Sequence, residues 1–138
     1  MKKLIIGLIL IGILIYSLIN DRLNSPIYSK HEYDIIAAEV KAEKIMKTDE
    51  SVRAIASSFD GKDLIKFRIV VKKKIDNSEA KRLIGKLMNE IAIYANARNS
   101  VAFWTKFNIN FDIIDENDGQ VLYQGLNNKK DGGVYWIF

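Results

Sequence analysis

Four carboxylates crowd one short stretch of the chain: Asp112, Asp115, Glu116 and Asp118. Clustered acids can bind a cation or divide acid and base roles in glycoside hydrolysis. An EF-hand loop needs oxygen ligands at its first, third and fifth positions before a glycine at the sixth. With Gly119 as the sixth position, Ile114 becomes the first, so the motif fails. A hairpin turn rich in Asp and Asn accounts for the same residues.

Other catalytic chemistry is scarce. His31 is the single histidine and there is no cysteine. These counts exclude a histidine-cluster metal site, a thiolate zinc site and a thiol nucleophile within one chain. Gly132-Gly133 has neither the spacing of a phosphate loop nor a helix after it. The residues therefore point to no cofactor and assign no catalytic group.

Two other features have the chemistry of contact. Between Lys62 and Lys86 nine basic residues stand against three acids. Lys66, Arg68 and Lys72 fall on one parity of a strand-like run, a face suited to anionic head groups, a wall polymer or an acidic partner. The C-terminal Tyr135-Trp136-Ile137-Phe138 is the second feature. Alternation sends Trp136 and Phe138 to one side, and an uncovered face there, with Trp104 nearby, would offer an aromatic contact surface. The expected interaction surface is thus Lys66, Arg68, Lys72, Trp104, Trp136 and Phe138. Nucleic acid is not expected. Phe67 alternates away from the cations, so they lack interleaved stacking aromatics.

The elements that must position these residues begin with an apolar run. Lys2-Lys3 precede Leu4–Asn20, a stretch without one charged residue, and Asp21-Arg22 end it. The apolar core, Leu4 to Ile19, is 16 residues long. That lies between a signal-peptide core of ~7–15 residues and a spanning helix of ~20. No small-x-small cleavage pattern follows, so residues 1–20 read as a signal-anchor, with membrane contact through residues 4–19. The lysine pair orients the N-terminus to the cytoplasm and the rest outside. Richness in Ile, Lys and Asn suggests an AT-rich bacterial genome.

Residues 21–29, with the single proline Pro26, read as a linker to one α+β domain over residues 30–138. Ser29 and Glu32 have capping-box spacing for a helix reaching about Lys47. Its expected apolar stripe is Tyr33, Ile36, Ala37, Val40 and Ile45, with Asp34, Glu39, Lys41 and Glu43 in water. Val52–Phe59 reads as a strand, Asp60-Gly61 as a turn, and Ile65, Phe67, Ile69 and Val71 as the buried parity of the next strand. Asp76 caps a helix whose stripe is Ala80, Leu83, Ile84, Leu87, Met88, Ile91, Tyr94 and Ala95. A loop near Asn99-Ser100 follows, then strands at Phe107–Ile113, Val121–Leu126 and Val134–Phe138. The expected order is α-ββ-α-βββ, with helices packed on a mainly antiparallel sheet.

These elements suggest a single-pass, membrane-anchored, extracytoplasmic binding or assembly module without catalysis. Its partner would be an envelope protein or an anionic envelope polymer. The alternatives are a hydrolase of envelope polymers using Asp112–Asp118, and a cleaved secreted factor.

Overall fold

The computed structural model describes residues 30–131 and 133–137, with side chains from Asp34 onward. The expected anchor (residues 1–20) and linker (21–29) lie outside the described residues. Within them, no helix is long and apolar enough to cross a membrane.

Eight elements follow one another: α1 (Lys30–Met46), β1 (Val52–Phe59), β2 (Leu64–Val71), α2 (Asn77–Tyr94), α3 (Ser100–Trp104), β3 (Asn108–Asp115), β4 (Val121–Asn127) and β5 (Val134–Ile137). The five strands form one sheet in chain order. Tight turns make β1–β2, β3–β4 and β4–β5 antiparallel. The central pair, β2–β3, is parallel. The sheet is therefore mixed, which corrects the mainly antiparallel expectation at its centre. Parallel neighbours need a crossover of a dozen residues or more, and residues 72–107, which carry α2 and α3, supply it.

Local chemistry explains most boundaries. Asp60 Oδ1 accepts the N–H groups of Lys62, Asp63 and Leu64 at 2.8–3.0 Å. Gly61 completes that turn at φ 80°, a conformation that costs glycine little. Asp76 caps α2 by accepting Glu79 N–H at 2.8 Å. The α2 stripe buries Ala80, Leu83, Ile84, Leu87, Met88 and Ile91, as its periodicity implies, and adds Ala92.

Helix α1 departs from expectation. Its buried face is Ile35, Ala38, Glu39, Ala42 and Met46, a stripe at i, i+3, i+4, i+7 and i+11. Ile36 and Val40 are exposed instead. Apolar residues lie all round this helix, so hydrophobicity alone does not choose the face. The structure puts the slim side chains of Ala38 and Ala42 inward, which permits close approach, and Glu39 comes with them.

Helix α3 occupies part of the expected loop. Asn99 caps it, accepting Ala102 N–H at 3.0 Å. Its last residue, Trp104, is 3 % exposed and meets Phe67, Phe103 and Phe107 edge-on. Helices and core lie on one side of the sheet. Ile55, Ile65, Phe67, Ile69, Ile109, Phe111 and Ile113 are the inward parity of their strands.

One pole of the domain is held by an ion network. Asp49, after α1, accepts both Arg82 terminal nitrogens and Lys86 Nζ, each at 2.9 Å. Arg82 also pairs with Glu79. Arg82 and Lys86 hold the Asp49 carboxyl far below the usual range, and Arg82 with the Ser51 hydroxyl holds Glu79 at about 2. Asp49→Ala is expected to lower the unfolding free energy at pH 7 by about 2 kcal/mol, the scale of hydrogen bonds to a charged group. A depressed folded-state pKa stabilises fully above the unfolded value near 4, and that stabilisation declines as pH falls from there through the folded-state value. The variant's deficit in urea denaturation should therefore shrink on acidification below pH 4.

Candidate functional site

No helix among the described residues covers the second face of the sheet. Its outward side chains fall into two complete cross-strand rows. One row runs Ala56, Arg68, Asp112, Gln124 and Ile137 from β1 to β5. The next runs Ser58, Lys66, Asn110, Leu126 and Tyr135. Small residues on β1 and larger ones on β4–β5 leave a depression of about 580 Å³ over these rows.

Arg68 and Asp112 sit side by side at its centre because their strands are in parallel register. Arg68 Nε meets Asp112 Oδ1 at 2.8 Å and Arg68 Nη2 meets Oδ2 at 2.7 Å. This fork-to-fork pairing raises the arginine pKa and holds both side chains in one geometry. Lys66 lies beside it, opposite Asn110, and takes part in no ion pair among the described residues.

Three exposed apolar side chains border the charges. Leu126, Tyr135 and Ile137 are 38 %, 50 % and 55 % exposed. Leu126 pairs directly with Tyr135 across β4–β5. The Tyr135 hydroxyl donates to Asp131 at 3.1 Å, and that carboxylate raises the phenol's pKa.

The expected interaction residues are thus divided. Lys66 and Arg68 line the depression, but Asp112 neutralises Arg68. Lys72 lies beyond the end of β2, where its N–H donates to the Ser51 carbonyl. The expected basic face contracts further, since Arg82 and Lys86 are committed to Asp49. Trp104 and Trp136 form no outward face. Trp104 is in the core. Trp136 is half-buried on the helix side, against Phe111 at 4.9 Å and Tyr123 at 6.3 Å. Phe138 lies outside the described residues, as does the His31 side chain. The exposed apolar residues are instead Tyr135 and Ile137, of the opposite parity. Leu126 was missed entirely. Its signal, alternation along β4, is broken by Gly125.

The acidic stretch does structural work at separate places. Asp112 holds Arg68. Asp115, which is buried, accepts the backbone and side-chain N–H groups of Asn117, both at 2.9 Å. Glu116 pairs with Arg53, and Asp118 accepts Gln120 N–H. Among the described residues no group of three or more acids and histidines is placed to hold a metal. The hydrolytic alternative draws no support from this arrangement.

The face thus presents a fixed ion pair, one cation outside any described ion pair, amides and an exposed apolar strip. No family model, curated protein or solved structure matches this chain.

Proposed function

We propose that this chain is a membrane-anchored, extracytoplasmic protein-binding module of the bacterial envelope. Its docking surface is the open sheet face. The observation that carries this reading is the exposure of Leu126, Tyr135 and Ile137 side by side on a face that no helix among the described residues covers. An apolar strip next to oriented polar groups suits a protein interface, where an apolar centre excludes water and rim groups set register. The partner that fits is a folded protein presenting an apolar ridge flanked by a carboxylate for Lys66. The apolar run at residues 4–19 supports membrane tethering. Tethering raises the local concentration of such a partner without new contacts.

A photo-crosslinking residue at Gln124 of the full-length protein in its native membrane tests the interface. One dominant adduct is expected. Tyr135→Asp and Ile137→Asp should reduce it at least about tenfold, the scale of losing one interface anchor. Exposed substitutions of this kind should change stability by no more than about 0.5 kcal/mol. The same probe at Lys81, on the far side of α2, should give no such adduct. Equal adducts from both positions, or an adduct indifferent to the aspartates, would rule out the face as the docking surface. Resistance to carbonate extraction and an intact N-terminal mass test the anchor separately.

A further inference from the structure

The pole of the domain where α1 begins holds a second cavity, of about 570 Å³. Its apolar floor joins Ile35 of α1 to Phe59, Phe103 and Phe107. Phe107 meets Phe59 at 5.9 Å and Phe103 at 5.2 Å between ring centroids. Lys62, Arg98 and Lys106 also line it, and among the described residues no carboxylate does. Asn96, at φ 57°, turns the chain beyond α2 and leads it to Arg98.

At the other pole Arg53, Arg82 and Lys86 have carboxylate partners, while Lys72, Lys73 and Lys74 enter no ion pair among the described residues. Lys62, Arg98 and Lys106 enter no ion pair among the described residues. Two acids stand near Lys62. Asp60 accepts three N–H groups of its own turn and also feels the Lys62 charge, without an ion-pair contact, and Asp63 pairs with Lys129. Three like charges around one mouth repel one another, and an anion seated among them relieves that repulsion.

We propose that this cavity binds the phosphate head group of an anionic phospholipid and so seats this pole on the bilayer surface. This rests on the membrane-anchored reading above. Arg98 supplies a planar fork matched to phosphate oxygens, and the lysines act as point charges. The aromatic floor takes the glycerol and the first methylenes. Chain length agrees with this placement. Residues 21–29 can extend at most about 30 Å. Ile35 lies five residues into α1, about 7.5 Å along the helix axis. A chain leaving the bilayer near residue 20 therefore keeps the cavity within reach of the head groups.

The test uses the full chain in neutral maltoside micelles, with amide resonances of residues 96–107 followed by NMR. Dihexanoyl phosphatidylglycerol should shift these resonances saturably, and dihexanoyl phosphatidylcholine should not. Each cation removed should weaken binding about fivefold, so the Lys62→Gln/Arg98→Gln/Lys106→Gln variant should bind about a hundredfold more weakly. Added salt should weaken it further. Lys81→Gln should leave it unchanged. Lys106→Gln alone serves if the triple variant loses native shift dispersion.

Equal response to both lipids would overturn the proposal. So would inorganic phosphate binding as tightly as phosphatidylglycerol, which marks a free-anion site. No response would also overturn it, and would leave the chain's own residues before Lys30 as the rival occupant. Micellar binding does not depend on the anchor. Carbonate-extractable protein that still binds phosphatidylglycerol would refute the anchor and retain the site. Tightly anchored protein that binds neither lipid would do the reverse.

Discussion

Gly125→Ala is expected to lower the unfolding free energy by about 3 kcal/mol, the upper part of the range for overpacking a core. Gly125 stands between Phe111 and Trp136 on the helix side of the sheet. A Cβ there would lie 2.2 Å from Phe111 Cζ and 2.7 Å from the Tyr135 carbonyl oxygen. Neither neighbour can yield easily. Phe111 is buried and packed against Trp136, and the carbonyl belongs to the adjacent strand. The methyl group must displace the ring and push β5 outward. Because Tyr135 and Ile137 belong to β5, partner adducts at the open face should fall together with stability.

The ring and the backbone contributions can be separated. Phe111→Leu shortens the side chain above Gly125, so the double variant Phe111→Leu/Gly125→Ala should lose less stability than the two single losses combined. Residues in direct contact couple by about 0.5–3 kcal/mol. Urea denaturation of all four proteins measures the coupling. Strict additivity would mean that the alanine methyl is accommodated elsewhere and that the close approach of the ring is unimportant.

Glu39→Gln should have an effect of similar size and opposite sign. Glu39 is 4 % exposed on the inner face of α1. Its Oε1 has no hydrogen-bond partner among the described residues. Burial, and then the nearby charge of Glu43, raise its pKa from 4.5 to about 7. Glu43 itself is held against β1, where its Oε1 accepts the Ser57 N–H at 3.0 Å and the Ser57 hydroxyl at 2.7 Å.

The direction of the pH effect follows from which state binds the proton more tightly. Here the folded protein does. Stability from this group is full below about pH 4.5 and falls as pH rises, levelling off once Glu39 is ionised above about pH 7. A shift of this size corresponds to about 3 kcal/mol between the two limits. Unfolding in urea at pH 5 and pH 8 should show the wild-type protein losing most of that amount. Glu39→Gln should be nearly level over the same window and more stable than wild type at pH 8. Equal slopes for the two proteins would mean that Glu39 is ionised throughout, and that water or another group reaches its carboxylate.

Much of the fold can be read from short-range pattern. The parity of Ile65, Phe67, Ile69 and Val71, and that of Ile109, Phe111 and Ile113, predicts which side of each strand is buried. Period two ties every second side chain to one face, so a few residues suffice. Asp76 at the head of α2 and Asp60-Gly61 between β1 and β2 are similarly local. Each side chain bonds backbone two to four residues away, and no distant partner is needed. Helix α1 was less legible because its apolar residues surround the axis. Helix α3, at five residues, is too short for periodicity to show.

The contact surface was legible only in part. Lys66 and Arg68 could be placed on one outward face from their alternation alone. That Arg68 is neutralised could not be foreseen, because Asp112 is 44 residues away in the chain and meets it only through the parallel register of β2 and β3. The aromatic expectation reversed for the same reason. Alternation separates Trp136 from Tyr135 but cannot say which side the helices cover. The cavity between Ile35, Phe103 and Phe107 draws on α1, the β1–β2 turn, the segment after α2, and α3, which no local pattern brings together.

Local pattern was enough for the five strands and the two long helices, their approximate ends, the buried parity of the central strands and the lack of cysteine or histidine-cluster chemistry. All of these depend on residues within a turn or two of one another. Tertiary structure decided the parallel centre of the sheet, the inward turn of Glu39 and the pairing of Arg68. It also decided that Leu126, Tyr135 and Ile137, rather than the tryptophans, stand in water. Those outcomes depend on which face of each element meets the core. That choice is made by burying apolar area over the whole domain at once, and no single segment encodes it.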